Sequence, residues 1–469
     1  MPKWSGVYEK LLNGNLGILP TSSVGTILAV GPCSLGEDGE IYYFGKADAD
    51  ALLSELGYGD LTYRLLDFFA LGGQKAKAIV IPAEKDIAGG IGDVEYELIG
   101  SGGMPVLTPS GSPNGAFQFD IEILSGGDHE EATFRYSIDG GQNWSGPIAT
   151  PAAGVPVALG YTGAFIAFGA GTFVEGDKAL FDTIGPSCSL SSILTALNIG
   201  KDRKLPFEIA GVFTPTADAA WAALGQWGDD LFAGHKNARI VTEASLPDPD
   251  MSGDAYVTGG VSAMNGFAHD RVLVTAGTVR VVDLYGYTLE RGLSGLVCGL
   301  IAASPVSQSI GRTLYCKMTP VLSLALELSD AQLQTLDEAR YTVPRTHEGL
   351  AGFFVNNGNM AADATSDYQS IEVCRVMDNV IRIVRVAALK YVHMEVLVAN
   401  GTADPAGLKA LEGGCKDALK TIKSTFSSAG IVIPEGQDVI ATQGVNATIS
   451  VIPFGYAKAI NLSFRLAKL

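Results

Sequence analysis

Charge is scarce in this 469-residue sequence: Asp, Glu, Lys and Arg together supply 17% of it, against about a quarter in ordinary globular chains. A weakly charged surface suits a protein that buries much of its outside against copies of itself. Long apolar runs are also missing. No stretch of about 18 apolar residues occurs, so no membrane-spanning helix is expected, and Met1 to Gly6 lack the apolar core of a signal peptide. The 6 cysteines, Cys33, Cys188, Cys298, Cys316, Cys374 and Cys415, are far apart. None forms C-x-x-C or stands at ligand spacing from a histidine, which excludes a zinc ribbon or finger and reads as reduced core thiols made in a cytoplasm. On that reading the N-x-S/T sites at Asn143, Asn446 and Asn461 carry no meaning. The 5 histidines, His129, His235, His269, His347 and His393, show neither HxxxH nor HExxH spacing. There is no G-x-S-x-G elbow and no Walker A loop, and the Gly169-Ala170-Gly171 stretch does not lie between a strand and a helix. Zinc peptidase, α/β-hydrolase and P-loop chemistry are excluded, so no catalytic residues, metal or cofactor are expected.

What is abundant is glycine, with 58 residues, and acid: 50 acidic against 32 basic residues give a net charge of −18. That sign repels phosphate backbones and argues against a general nucleic-acid role. Two motifs invite a sharper reading. Asp248-Pro249-Asp250-Met251-Ser252-Gly253 imitates half of an EF-hand loop, but the twelfth position is Gly259 where a bidentate Glu is needed, and Pro249 restricts the loop. Ser137-Ile138-Asp139-Gly140-Gly141-Gln142-Asn143-Trp144 is similar to the Asp-box hairpin of sialidases, with Asn143 in place of Thr. That motif is structural, and one copy predicts a braced hairpin rather than a propeller. An exposed carbohydrate- or surface-binding module is the alternative it leaves open.

Along the chain, residues 1–20 lack apolar periodicity and read as an arm. VGTILAVG (24–31) and AKAIVIPA (76–83) are continuous apolar runs, as buried strands are. Helical stretches at about 47–57 and 60–71 lie between them, which begins an α/β sheet. From 92 to 185 the pattern becomes short alternating strands with turn signals, including Phe117, Phe119, Ile121 and Ile123, then Phe134, Tyr136 and Ile138. This predicts an inserted β-sandwich. The α/β pattern resumes over 186–345, with strands at 207–213, 238–242, 271–275 and 280–284 and helices at 216–232 and 293–303. Residues 21–91 and 186–345 therefore form one discontinuous α/β domain. A C-terminal α+β unit over 346–454 has a helix from 369 to 390, a strand at 393–399 and a helix from 404 to 426. Two alternating runs close the chain, the second a terminal arm over 455–469.

The last run places Ile460, Leu462, Phe464 and Leu466 on one side. A strand there must pair with something, because unpaired N–H and C=O groups beside an apolar face are costly. It either folds onto its own sheet or adds to a neighbour's. In the preceding helix Lys409, Lys416, Lys420 and Lys423 are spaced 7, 4 and 3. At about 100° per residue they share one narrow strip, away from Leu408, Leu411, Cys415, Leu419, Ile422 and Phe426. That strip is either a solvated face or an electrostatic contact with an acidic partner.

The order of these parts resembles the contractile tail sheath family of phages and prophages over most of the chain. NGNLGILPTSSVGTILAVG (13–31) is similar to that family's arm and first strand. SDYQSIEVCRVMDNVIRIVR (366–385) is similar to its acidic-aromatic turn, here with Asp367, before a helix bearing Arg-x-x-Asp, here Arg375 and Asp378. SVIPFGYAKAINLSFRLAKL (450–469) is similar to its C-terminal arm. The resemblance implies a non-enzymatic virion protein, assembled in a bacterial cytoplasm into the tail, with six-fold rings stacked helically around a tail tube. Baseplate and tail terminator proteins are the implied partners besides the tube. The arms would exchange strands between subunits, the insertion would lie outside, and the C-terminal unit with its lysines would face the tube. Contraction by subunit repacking would drive the tube through an envelope.

Overall fold

The computed structural model describes residues 24–99, 103–248, 251–399, 401–463 and 465. Its centre follows from the two continuous apolar runs. Thr26–Gly31 and Lys77–Pro82 pair in parallel, Ile27 opposite Ala78 and Val30 opposite Ile81. Parallel strands are covered on both faces, so they need apolar residues at every position. Ile27 and Ala29 point into one core, Leu28 and Val30 into another. Ile209–Pro215 pairs with the other side of Thr26–Gly31, so this sheet is completed only after an excursion of more than a hundred residues. Arg239–Glu243 and Val272–Thr275 extend it in parallel, and Tyr42–Gly45 closes the opposite edge antiparallel. The spatial order of the six strands is Val272–Thr275, Arg239–Glu243, Ile209–Pro215, Thr26–Gly31, Lys77–Pro82, Tyr42–Gly45.

Helices cover both faces. On one, Asp60–Leu71 packs against Ser294–Ala303, a helix buried from Ser294 through Ile301. Their backbones approach through Gly295 and Gly299: a Cβ on Gly295 would lie 2.3 Å from the Arg64 carbonyl oxygen, and one on Gly299 2.9 Å from that of Phe68. On the other face lie Leu190–Asp202, Asp218–Ala233, Gly253–Met264 and Asp330–Glu338, with Leu197, Trp221, Leu224, Trp227 and Leu336 in the core. Three of these were not read from the sequence. Their starts are nevertheless written in it: Ser189, Ser252 and Ser329 each accept a backbone N–H as N-cap, and Ser329 with Gln332 completes a capping box. Ser252 therefore caps a helix that includes Gly259, so the positions that the second half of a calcium loop would need are helical.

Residues 90–184 form two antiparallel sheets. One has the order Gly90–Ile91, Lys178–Ile184, Phe117–Ser125, Thr133–Ser137, Ile148–Ala149, with Glu95–Glu97 also paired to Lys178–Ile184; the other has Val157–Ala158, Ala164–Phe168, Leu107–Gly111. Both send alternate residues into one core that holds Phe117, Phe119, Ile121, Phe134, Ile166 and Phe168. The alternation read from the sequence is thus the in–out period of two facing sheets.

The C-terminal part is built on the long helix Ile371–Leu389, whose Val376, Val380 and Val384 meet Cys415 and Leu419 of Pro405–Thr421 and Ile431 of the hairpin Ser428–Val432/Thr448–Ile452. The structure departs from the sequence reading at three places. The expected strand at 393–399 shrinks to Val398–Ala399, paired with Thr402–Ala403. The second helix ends at Thr421 and continues only as a 3-10 turn, Lys423–Thr425, because its last apolar residue, Phe426, turns into the hairpin's core. The stretch after 346, read as part of the C-terminal unit, sends Val355, Met360 and Ile371 into the cores of the central sheet. The N-terminal arm over 1–20 lies outside the described residues, as do Phe464 and Leu466. Ile460 and Leu462 are exposed and outside any strand.

Two glycine substitutions are expected to act in opposite directions. Gly295→Ala drives a methyl into the Arg64 backbone and should cost about 1–3 kcal/mol. Gly413→Ala, in the helix Pro405–Thr421 with nothing within 4 Å of the new Cβ, should gain about 0.5–1 kcal/mol. Thermal unfolding of the two variants beside the parent checks both signs.

Candidate functional site

The Arg-x-x-Asp pair in the long helix meets the heads of two neighbouring strands. Glu208 immediately precedes Ile209–Pro215, Arg239 opens Arg239–Glu243, and Ile209 is the register partner of Arg239. Adjacent strands lie about 4.8 Å apart, and residues i and i+3 of a helix are separated by about 5–6 Å. One turn of helix therefore offers one charge to each strand. Arg375 Nε donates to Glu208 Oε1 at 2.8 Å and its Nη1 to the carbonyls of Ser304 and Pro305 at 3.2 and 3.4 Å. Asp378 accepts both Nε and Nη2 of Arg239 at 2.7 Å, and Arg239 Nη1 reaches the Asp270 carbonyl at 2.9 Å. All four side chains are buried, none more than 5% exposed. The Tyr368 ring lies 5.8 Å from the Arg239 guanidinium. Asp367, singled out with them in the sequence, is exposed in the turn ahead of the helix.

Charges this deeply buried are expensive to desolvate, so the pairs fix geometry more than they add stability. Burial alone would push the Glu208 carboxyl up, but Arg375 and the Gly25 N–H, which donates to Oε2 at 2.8 Å, hold it below the usual carboxylate range. Arginine at both positions suits the task, since its planar fork makes two parallel bonds to a carboxylate. Sequence reasoning found Arg375 and Asp378 but missed Glu208 and Arg239. The available signal was a single charge at the head of an apolar run, in Phe207-Glu208-Ile209 and Ala238-Arg239-Ile240.

A second set of pairs lies at the carboxyl end of the same sheet. Arg64 holds Glu243 at 2.7 and 3.1 Å, Ser294 donates to Glu243 through its N–H at 3.0 Å and its hydroxyl at 2.6 Å, and Arg291 holds Asp67 at 2.8 Å. Open parallel sheets take ligands beyond the carboxyl ends of their strands. Here the end of the Arg239–Glu243 strand is occupied by the protein's own charges.

The Asp-box hairpin is braced as its motif predicts, and it also grips the rest of the chain. Asp139 accepts the Asn143 N–H at 2.8 Å, Asn143 Nδ2 at 2.7 Å and the Ser137 hydroxyl at 2.7 Å. Its fourth donor is the Thr288 N–H at 2.9 Å, on the strand Thr288–Gly292 that pairs with Thr278–Val282. Burial would raise the Asp139 carboxyl, but these donors hold it below the usual carboxylate range. Tyr161 adds a hydrogen bond to Asp283 and stacks on Tyr58 and Tyr285, with centroids 5.0 and 4.4 Å away.

The C-terminal face carries the lysines. Lys409, Lys416 and Lys420 project from Pro405–Thr421 into solvent, opposite buried Leu408, Cys415 and Leu419, and Lys423 is exposed in the following 3-10 turn. The strip is partly neutralised, since Lys416 pairs with Glu412 and Lys420 with Asp417 at 2.7 Å. The wider asymmetry is larger: residues 371–469 contain 11 basic and 8 acidic residues, net +3, while the first 370 hold 21 and 42, net −21. Beside the lysine helix, Met377, Val380, Ile381, Val384, Ala388 and Ile449 line an apolar groove of about 520 Å³. The two-stranded hairpin next to it shows Val432 and Ile452 to solvent, at 64% and 61% exposure, and neither of its outer edges is paired among the described residues. Among those residues no group of three His, Cys, Asp or Glu side chains is placed to hold a metal ion, and no helix is long and apolar enough to cross a membrane.

Comparison with known proteins places this geometry. The sequence patterns of the DUF2586 N-terminal and C-terminal domains match residues 4–359 and 367–468. No curated protein matches in sequence. Among solved structures, the sheath tail protein of Desulfitobacterium hafniense is similar over 96% of this chain and 100% of its own, at 14% identity and a TM-score of 0.50. The helical sheath of the anti-feeding prophage in its contracted state is similar over 99% of both chains, at 12% identity and a TM-score of 0.53. The sheath complex of an extracellular contractile injection system, PVC, also contracted, is similar over 99% of this chain and 98% of its own, at 10% identity and a TM-score of 0.56.

Two outcomes test the strand-head pairs. Arg239→Met leaves Asp378 buried without a counter-charge and should cost about 3–5 kcal/mol, whereas Arg239→Met with Asp378→Leu should recover most of that loss; denaturant titration of the single and double variants reads the difference. The stability gap between the parent and Glu208→Gln should be full above the ordinary glutamate value of 4.5 and shrink as pH falls through the lower folded-state value. Unfolding measured across acid pH checks that sign.

Proposed function

We propose, from the premise that this chain belongs to the DUF2586 family and has the fold of contractile sheath proteins, that it is the sheath subunit of a contractile tail. The observation that carries the proposal is the near-complete coverage in both directions. A shared α/β sheet alone would say little about function, but here the whole chain, insertion and C-terminal part included, corresponds to whole sheath subunits.

In this reading copies of the chain assemble head to tail as stacked six-membered rings around a tube, in a contact that does not close and so propagates. The arms over 1–20 and 455–469 join neighbours by adding strands to open sheet edges. Two features support that role: the exposed apolar Ile460 and Leu462 outside any strand, and the edges of the hairpin Ser428–Val432/Thr448–Ile452, unpaired among the described residues. The C-terminal face, net positive in an acidic chain, supports an acidic tube as its partner, with Lys409, Lys416, Lys420 and Lys423 on the contact. Contraction then needs no nucleotide. It is a rigid-body repacking toward a lower-energy lattice, and several kcal/mol per subunit makes it one-way along a polymer.

Negative-stain microscopy of the purified chain should show tubes or cogwheel rings. Deleting 455–469 should leave a folded monomer, and long tubes from that truncation would remove the strand-adding role of the arm. Lys416→Glu with Lys420→Glu should weaken co-assembly with the tube protein while leaving assembly of the chain alone unchanged. Equal loading on the tube by variant and parent would remove the lysines from that contact.

A further inference from the structure

The segments that precede and follow the described body meet it at neighbouring points, and one ion pair stands between them. Gly25, where the chain enters its first strand, donates its N–H to Glu208 Oε2 at 2.8 Å, and the Glu208 N–H donates to the Thr26 carbonyl at 2.9 Å. Gly25 has φ of +77°, a left-handed conformation that costs glycine little, and it aims the N–H at the carboxylate. On the other side Arg375 holds Glu208 and also binds the Ser304 and Pro305 carbonyls. Two residues further on, the Ser307 carbonyl accepts the Tyr456 hydroxyl at 2.8 Å, just before the exposed residues 457–463. Tyr456 is half-buried, and its phenol is pushed up to about 12 by that burial and by Glu372. Lys458 faces the same Glu372. The path from Gly25 to Tyr456 thus runs through a buried carboxylate, a buried guanidinium and the 304–307 loop, all at the amino-terminal end of the central sheet.

We infer that the Glu208–Arg375 pair is a common anchor for the two terminal segments, so that loosening one loosens the other. A buried pair suits this task because it tolerates neither partner alone, and the fork of Arg375 bonds to two parts of the chain at once. Its consequence in a polymer rests on the sheath reading: both arms of a subunit would hang from one node, and a load arriving through one neighbour would pass to the next across that pair. The anchor itself is a property of the free chain.

Hydrogen exchange of the full-length free chain, read by mass spectrometry, tests it. Arg375→Lys keeps the charge but loses the fork, and should speed exchange about tenfold or more at 24–28 and raise hydroxyl-radical labelling of the half-buried Tyr456 ring. Tyr456→Phe changes only the far side, and should still speed exchange at Gly25. Leu333→Ala, in the remote helix Asp330–Glu338, serves as a control for general loss of stability and should leave both segments as they are once compared at equal distance from the melting point. Should Arg375→Lys fail to fold, Glu208→Gln takes its place, since it keeps the shape and removes the charge. A response at one end only, or equal opening of both ends by Leu333→Ala, overturns the anchor. Microscopy separates the two claims. Arg375→Lys tubes should be shorter and break in less urea than parent tubes; equal tubes overturn the consequence, and a parent chain that forms no tubes overturns the sheath reading while the exchange result still decides the anchor.

Discussion

The structure depends on a match of two spacings. Neighbouring parallel strands present their heads at the same interval at which a helix presents residues three apart, so Arg375 and Asp378 fit Glu208 and Arg239 as two parallel pairs. The match fixes where the long helix Ile371–Leu389 sits along the sheet and which face it turns outward. A purely apolar contact would allow it to slide by a fraction of a turn. With four charges buried, any displacement leaves at least one unpaired, and the penalty defines a single position. The lysine helix, the apolar groove and the hairpin are packed on Ile371–Leu389 and are carried by that docking, with Val306 and the Tyr456–Ser307 hydrogen bond as further contacts to the body.

The same device recurs at the other end of the sheet and in the insertion. Arg64–Glu243 and Arg291–Asp67 tie the helix Asp60–Leu71 to the strand Arg239–Glu243 and to Arg291 of Thr288–Gly292. Asp139 ties the Asp-box hairpin to that same strand through Thr288. The two-sheet insertion is therefore fastened to the α/β body by directional hydrogen bonds and stacked tyrosines as well as by apolar contact through Leu289. A body fastened in this way suits rigid-body movement, in which internal contacts persist while contacts between bodies change.

Charge is used differently inside and outside. Inside, the buried arginines Arg64, Arg239, Arg291 and Arg375 are each paired with a buried carboxylate, while Asp139 is held by neutral donors. Outside, the two signs are separated along the chain, with an excess of acid in the first 370 residues and a slight excess of base in the last 99. Separation of this kind directs which face approaches which partner, and acts over roughly a Debye length of about 8–10 Å. The intrahelical pairs Lys416–Glu412 and Lys420–Asp417 reduce the local field of the lysine strip, so the face is oriented by the sum of many charges rather than by those four lysines alone.

Period and punctuation in the sequence determined much of the fold. Continuous apolar runs such as Thr26–Gly31 report strands covered on both faces, and alternation from Phe117 to Ile123 reports a strand covered on one; the stripe Val373, Met377, Val380, Ile381, Val384 and Ala388 reports a helix, but only Val380 and Val384 of it are buried, while Met377, Ile381 and Ala388 line the apolar groove. These are local signals because one residue's burial is set by its place in a regular element. Helices with weak stripes but clear caps, at Ser189, Ser252 and Ser329, were written in the sequence less loudly, and the run at 393–399 had the alternation of a strand without a long partner to pair with. The Arg-x-x-Asp motif was visible, but its counter-charges were not. Glu208 and Arg239 lie more than a hundred residues away, and only the strand order brings them to adjacent positions. Tertiary structure alone decided those pairings, the convergence of Gly25 and Tyr456 on one anchor, and the partner of Asp139, because contacts between distant segments are set by topology and packing, which no local pattern encodes.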